Sequence, residues 1–517
     1  MKFRIPDTYK IYPSESENTE IIFDENDNTC EIYIKSSDNL EFITLRWNFT
    51  QDEERKEPVK ILGDAWERSY GELAWKGIEP DRLLPWYFAV SNGSDSIRDF
   101  EGRYTECFGV EVQPNAFCSW KYDNRGITLI LNVKNGNLPI NFENRTVNLC
   151  KVIFSEYRNI SAFDSLCKFC KEMCPSPLVS DTVVYGSNNW YYAYGNSSAD
   201  EILSDSKIIA ELCKDNRNPP YMVIDDGWTP YRTTPPWTPN EKFGDMKRLA
   251  EEMKKIGVIP GIWVRYLCDE KLQLDLPDET RRLENKMYLD PTHPAVKKHI
   301  VDTTNYLVDC GYKLIKHDFS SYDITGQWGK TMSASPCKGN EGFYDRTKTT
   351  AQIIKEFYKL IKDTAGDTII LGCNTFGHLC AGLCEANRTG DDTSGRAWAP
   401  TRFNGVNTLA FRACQNNAFF VVDADCVGIM GKYDWAINSQ WLTLVAQSGT
   451  SLFVSCKPSE AKDKTYEDLK REYVYASEQN GSIVPIDWME NNNPCEYYLN
   501  GKYVKFNWFE EHGAETF

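Results

Sequence analysis

The sequence predicts a multidomain chain made of an N-terminal β-sandwich, a central (β/α)8 TIM barrel and a small C-terminal β domain. Three observations predict it. Between residues 182 and 460 apolar strand patterns alternate with helical ones eight times; the first 160 residues read as strands and turns; and the tail carries an Asn500-Gly501 pair flanked by short alternating runs. Strands each followed by a helix call for a parallel sheet, and eight such units for one closed on itself. A doubly wound sheet is the rival architecture.

In residues 1–160, Glu31-Ile-Tyr-Ile-Lys35 and Glu41-Phe-Ile-Thr-Leu-Arg-Trp47 alternate polar with apolar positions, the period of a strand with one buried face. Ile127-Thr-Leu-Ile-Leu-Asn-Val133 reads as a buried strand closed by Asn135-Gly136. The segment from Gly63 through Asp64, Trp66 and Tyr70 to Trp75 mixes glycine, charge and aromatics without a period. It is an exposed loop that either reaches an active site or caps the sandwich.

A helix over Ala162–Met173 and the Pro175-Ser-Pro177 break make residues 161–181 a helical linker, because proline stops helices and ladders alike. The barrel is predicted over 182–460, about 280 residues against the roughly 250 typical of that fold. Its strands are read at 183–185, 221–224, 258–263, 312–315, 368–371, 383–386, 419–422 and 451–454, with helices at 199–213, 246–256, 295–308 and 347–362. Residues 461–517 form the C-terminal β module, with a hairpin through Asn500-Gly501.

Composition limits what the chain can bind. A balance of 58 basic against 75 acidic residues leaves a formal charge of −17, which argues against a nucleic-acid or anionic-membrane partner and for a neutral small molecule. The N-terminus, Met1 to Asp7, has no apolar run and no stretch is long enough for a membrane span, so a cytoplasmic location is expected. In that compartment the 18 cysteines are free thiols packed as small hydrophobes. Cys167, Cys170 and Cys174 share one helix face, and no second pair completes a zinc set. The 15 Trp and 28 Tyr exceed what most cores need; large cores and sandwich packing take up most of that surplus, and flat platforms for sugar rings are the other use for it.

In a barrel, chemistry sits at the C-terminal ends of the strands. There the sequence places Asn188, Asn189 and Trp190 after the first strand, Asp225-Asp226-Gly227-Trp228 after the second, and Trp263 and Arg265 about the third. Lys316 and Asp318 end the fourth, Cys373 and Asn374 the fifth, and Arg388 with Asp391-Asp392 the sixth. Two carboxylates on different strands, about 5 to 5.5 Å apart, suit retaining glycoside hydrolysis, one as nucleophile and one as acid/base. Asp318 and one of Asp391 or Asp392 are the candidates. Lys316 beside Asp318 favours the ionised nucleophile. Asp225 and Asp226 can accept from two neighbouring sugar hydroxyls, and Trp190, Trp228 and Trp263 can face the ring. His317 is expected to turn into the barrel wall. The ordinary readings are an Asp-capped turn for Asp225-Asp226, a surface pair of Arg388 with Glu385, and a space-filling Cys373.

Val223-Ile-Asp225-Asp226-Gly-Trp228, Ile315-Lys316-His-Asp318 and Arg388-Thr-Gly-Asp391-Asp392-Thr resemble successive signatures of the melibiase-type α-galactosidases, glycoside hydrolase family 36 in a clan with family 27. Met287-Tyr-Leu-Asp290-Pro-Thr-His-Pro294, Asp423-Ala-Asp425-Cys426 and the Gly63 to Arg68 segment are similar to further blocks, in order along most of the chain. The resemblance implies Asp318 as nucleophile and Asp391 as acid/base. It implies Asp225 and Asp226 on sugar hydroxyls and Lys316 and Arg388 on ring substituents, with no cofactor and no metal. It also implies a homo-oligomer in which the Asp64–Trp66 loop reaches a pocket across a subunit interface. Many bacterial members have tryptophan where this chain has His317, a glycine-rich loop where it has Cys373-Asn374, and Asp-Pro-Asp-Cys where it has Asp423-Ala-Asp425-Cys426; these departures touch sugar preference more than mechanism. The expected activity is cleavage of terminal α-galactosyl residues from small oligosaccharides. Transglycosylation and α-N-acetylgalactosaminidase action are close alternatives. A Schiff base on Lys316, a non-catalytic sugar-binding protein and a divalent metal on Asp225, Asp226 and Asp318 are more distant ones.

Overall fold

The computed structural model describes residues 5–13, 17–50, 58–283 and 286–509; the start of the segment read for a leader, Met1 to Arg4, lies outside them. In the N-terminal domain a five-stranded and a six-stranded antiparallel sheet face each other. The alternation read from sequence is the burial pattern observed: in Thr29–Ser36 and Phe42–Asn48 every second side chain is buried. Phe88 of one sheet meets Trp120 of the other at 5.8 Å between ring centroids, which fixes the sandwich core.

The helix Ala162–Met173 has the bounds its sequence predicts, capped by Ser161, whose hydroxyl accepts from the Asp164 amide. It is docked rather than a free linker. Asp95 of the sandwich accepts from the Ala162 and Phe163 amides at 2.9 and 3.1 Å and from Trp488 Nε1 of the C-terminal module at 2.9 Å.

Eight parallel strands then close into a barrel: β1 Tyr185–Asn188, β2 Tyr221–Ile224, β3 Ile259–Val264, β4 Leu314–His317, β5 Ile369–Gly372, β6 Ala386–Arg388, β7 Val421–Ile429 and β8 Ser451–Cys456. Apart from β2, these strands run past the ends read from sequence. Asn188, Lys316, His317 and Arg388 lie inside strands, whereas hydropathy ended each strand at its last apolar residue. A polar side chain pointing into a pocket is compatible with a strand, so hydropathy loses the strand where the site begins. β7 is the longest, with a bulge between Asp423 and Cys426 and Asp425 at φ +68°.

The C-terminal module differs from the expected all-β unit. Residues Asp463–Glu478 are a helix packed against Trp435–Gln447 and Ala199–Leu212. It completes the outer ring of the barrel, between the helix after β7 and the helix after β1. The β module proper is a three-stranded antiparallel sheet, Ile483–Pro485, Glu496–Leu499 and Lys502–Lys505. Asn500 and Gly501 form its hairpin turn at φ +51° and +74°, the two positive values that a two-residue turn of this hand requires. Trp488 joins the module to both neighbours, 5.3 Å from Trp75 of the sandwich and 5.6 Å from Phe163 of the docked helix.

The Gly63–Trp75 loop crosses to the barrel of its own chain. Ser69 N donates to Thr389 O at 2.8 Å and Ser69 O accepts from Asp391 N at 2.9 Å, so the loop runs beside the chain leaving β6. Glu67 accepts from Gly329 N at 2.7 Å and from the Ser321 hydroxyl, and Asp64 pairs with Arg412 at 2.7 Å. These contacts are all made within one chain. Among the described residues no helix is long and apolar enough to cross a membrane.

Candidate active site

At the C-terminal ends of β1 to β6 lies a cavity of about 270 Å³. β4 supplies its floor. Successive residues of a strand point to opposite faces, so Lys316 and Asp318 face the cavity while His317 turns to the helix layer. His317 is 1% exposed, surrounded by Tyr266, Phe357 and Tyr358 at 6.3, 6.2 and 5.6 Å. Burial there holds its imidazole at about 4, and neither ring nitrogen has a hydrogen-bond partner among the described residues. It therefore cannot act on a bound sugar directly.

Asp318 is held by a fixed set of donors. Its Oδ2 accepts from Trp263 Nε1 at 3.1 Å; its Oδ1 accepts from Phe319 N at 2.7 Å and from the Asn374 side-chain amide. Burial alone would raise this carboxyl, but Lys316, the Trp263 hydrogen bond, Arg68 and Asn374 outweigh it and bring it down to about 2. It is an ionised carboxylate at any physiological pH.

Lys316 Nζ donates to Asp225 Oδ2 at 2.7 Å, and Asn188 Nδ2 donates to the same oxygen at 2.7 Å. Burial would lower the ammonium, yet Asp225 beside it holds it well above its ordinary value, so the amine is protonated. Asp226 stands in contrast. It is 3% exposed, and neither of its carboxylate oxygens has an aligned hydrogen-bond donor among the described residues; Arg232 Nη2 approaches Oδ2 to 3.2 Å as an ion pair only. Burial, eased by Arg232 and aggravated by Asp225, pushes Asp226 up to about 6. A buried acceptor that faces a cavity and is met only by one exposed arginine is a binding position for ligand hydroxyls.

The sixth strand contributes Arg388, which is 4% exposed. Its Nε donates to Gly390 O at 3.0 Å, Nη1 to Cys373 Sγ at 3.2 Å and Nη2 to Asp392 Oδ1 at 2.5 Å, with Asp425 3.5 Å away. Glu385, its expected surface partner, instead pairs with Lys362. Asp392 lines the cavity, half exposed at its mouth, and Asp391 does not: the Asp391 carboxylate is turned to Arg68 Nη2 at 2.9 Å. Burial would raise Asp392; Arg388 and Arg68 pull it down and Asp318 opposes them.

Of the residues singled out in the sequence, the fold brings Asp225, Asp226, Trp190, Trp263, Lys316, Asp318, Asn374 and Arg388 to one cavity. Others are not on its wall. Arg265 is committed to Asp323 through Nε at 2.9 Å and Nη2 at 2.6 Å, with its guanidinium 4.2 Å over the Phe319 ring. Cys373 stands behind Arg388, Trp228 donates to the Trp263 carbonyl at 3.0 Å from behind, and the Asp391 carboxylate is turned to Arg68 while its neighbour Asp392 lines the cavity. Sequence reasoning missed Arg68, Arg232, Phe319 and Trp328, all on the wall. Arg68 was within reach: it lies in the charged, aperiodic loop already read as a candidate to reach a site. Arg232 and Trp328 sit in long loops with no local signal.

No protein-family model matches the chain, and no curated protein sequence matches it. Solved structures do. The α-galactosidase TtGalA of Thermus thermophilus, in complex with p-nitrophenyl α-D-galactopyranoside, superposes with a TM-score of 0.61 at 13% identity, covering 98% of each chain. The same protein in complex with stachyose gives 0.60 at 14% identity over 91% of this chain and 98% of that one. The family 36 α-galactosidase AgaA of Geobacillus stearothermophilus gives 0.63 at 11% identity over 93% and 70%. The chain has the fold of the family 36 α-galactosidases, in which an N-terminal β-sandwich precedes an eight-stranded barrel and a C-terminal sheet.

Proposed function

We propose that the protein is a retaining α-glycosidase that removes terminal α-galactosyl residues from small oligosaccharides. The observation that carries this reading is Asp318: a half-buried carboxylate fixed by three donors, kept ionised near 2, on the floor of a cavity with a second carboxylate, Asp392, at its mouth. That is the asymmetry double displacement needs, with a nucleophile below the sugar and a proton donor where the leaving group exits. The fold shared with structures holding galactosides agrees with it.

In this reading Asp226 and Asp225 accept the glycone hydroxyls, Lys316 donates to one of them, and Trp263 packs on the ring. Asp318 Oδ attacks the anomeric carbon as the glycosidic C–O bond breaks, and the leaving oxygen takes a proton from Asp392. The same carboxylate then removes a proton from water, which attacks the glycosyl–Asp318 ester and releases the sugar with its original configuration. Arg388 and Arg68 hold Asp392 below the ordinary carboxylate range, so in this reading it takes up its proton only as substrate binding loosens those pairs. The incoming sugar excludes water between Asp392 and Asp318 and strengthens a repulsion that already raises Asp392. Lys316, protonated on Asp225, lacks the free amine that a Schiff base requires.

A panel of aryl α-glycosides with galactosyl, N-acetylgalactosaminyl, glucosyl and xylosyl glycones tests the proposal. The galactoside is expected to have the highest kcat/KM. Turnover of none of the four, or a clear preference for a glycone other than galactose, overturns it.

A further inference from the structure

A second cleft lies on the same face as the active-site cavity, built on the long segment that follows Asp318. Its volume is about 430 Å³, and its lining includes Tyr288, Tyr322, Lys338 and Asn340. The two clefts share a ridge of rings. Trp328 lines the first and Tyr322 the second, with their centroids 4.5 Å apart; Phe319 lies 5.9 Å from Trp328 on the near side and Tyr288 6.1 Å from Tyr322 on the far side. Phe319 through Trp328 to Tyr322 and Tyr288 is thus a continuous aromatic track leading out of the cavity.

The direction of that track decides what it can hold. The glycone end of the cavity is closed by Asp225, Asp226 and Lys316, all less than a tenth exposed, so a longer ligand can extend only through the mouth, past Trp328. We propose that the second cleft binds the sugar units on the leaving-group side of the scissile bond, beyond the first. Tyr322, backed by the buried Tyr288, offers an apolar ring face to the C–H face of a pyranose ring, and the exposed Lys338 and Asn340 offer donors to its hydroxyls. The occupant is therefore neutral oligosaccharide, continuous with the substrate in the cavity. The inference rests on the glycosidase reading and adds a preference for chain length to it. Tyr322 is on the short helix Ser320–Thr325 that starts two residues after Asp318, so this subsite is carried by the same segment as the nucleophile.

The test compares kcat/KM for an aryl α-galactoside, raffinose and stachyose in the unsubstituted enzyme, in Tyr322→Ala and in a Lys338→Ala, Asn340→Ala double variant. The double variant alters exposed side chains of the second cleft only and guards against a folding effect of Tyr322→Ala. Each is expected to lower kcat/KM for stachyose about tenfold, the scale of one or two ring or hydroxyl contacts, with the aryl galactoside within about twofold of the unsubstituted enzyme. Equal losses on all three substrates in both variants, or no loss on stachyose in either, overturns the subsite. Failure of the underlying glycosidase reading shows separately, as no turnover of any of the three by the unsubstituted enzyme, and removes the subsite with it.

Discussion

Arg68 Nη2 lies 2.9 Å from Asp391 Oδ1, an ion pair that joins a loop of the N-terminal sandwich to the end of the sixth barrel strand. The guanidinium is also 3.6 Å from Asp392 and lies over the Trp328 and Tyr70 rings. One side chain of the first domain thus sets the position of both carboxylates after β6. Removing it leaves Asp391 with an unpaired, partly buried charge, a loss on the order of 3 kcal/mol for such pairs. Arg68→Ala is expected to lower kcat/KM by about 100-fold, the scale of a misplaced catalytic group, with Arg68→Lys in between because a single ammonium cannot serve both carboxylates. Steady-state kinetics and an unfolding midpoint for the three proteins check this.

Asp318→Asn removes the nucleophile at nearly constant volume and keeps one side-chain carbonyl, which can accept from the Phe319 amide or the Trp263 indole but not both. Turnover is expected to fall by at least ~1,000-fold with an unchanged circular dichroism spectrum, since the carboxylate acts as one of a set that fails together.

The two aspartates after β6 are separable by leaving group. Asp392→Asn is expected to slow stachyose cleavage by about 1,000-fold, the upper range of general acid catalysis, and that of an activated nitrophenyl galactoside far less. Asp391→Asn is expected to act more mildly and to the same extent on both substrates, because it only loosens Arg68. The reverse pattern in paired kinetics would restore Asp391 as the acid.

Asp226 couples binding to stability with opposite signs. Its carboxyl is raised by burial from 3.8 to about 6, so its ionisation costs the fold, and the cost is fully present above pH 6 and vanishes below about pH 4. Asp226→Asn is expected to stabilise the protein at pH 7.5 by about 2 kcal/mol and hardly at all at pH 4, while galactose binding is lost. In the unsubstituted protein, affinity for galactose is expected to weaken as pH falls through about 6. Calorimetric titration and thermal unfolding against pH report both.

His317 predicts the other direction. Its folded value, about 4, lies below the usual 6.5, so the neutral ring contributes stability above pH 6.5 that is lost as pH falls towards 4. His317→Phe is expected to remove that loss, leaving unfolding midpoints less dependent on pH between 6.5 and 4, with the glycone preference unchanged. A changed glycone preference would mean that the ring influences the cavity through β4.

The barrel was legible because each apolar strand is short and followed by an amphipathic helix. The sandwich was legible because alternation survives wherever one face of a strand is buried. The strand ends were not, because Lys316 and Arg388 are polar residues inside strands. The eighth helix was missed because Asp463–Glu478 is rich in charge and half exposed, so its apolar face is narrow. At the site, the residues inside or next to β1, β2 and β4 were found from their position alone. Arg265 and Cys373 were misplaced because a residue at a strand end can point behind the wall as readily as into the pocket, and only the partner, Asp323 or Arg388, decides which. The choice between Asp391 and Asp392 depends on where Arg68 arrives, a contact between residues more than three hundred positions apart that local pattern cannot carry.

The central claim is that Asp318 acts as a nucleophile in a double displacement. The most direct measurement is proton NMR of the first sugar released from an aryl α-galactoside, recorded before mutarotation. α-Galactose is expected as the initial product, with the β-anomer growing in only later. β-Galactose appearing first would mean a single displacement by water and would contradict it.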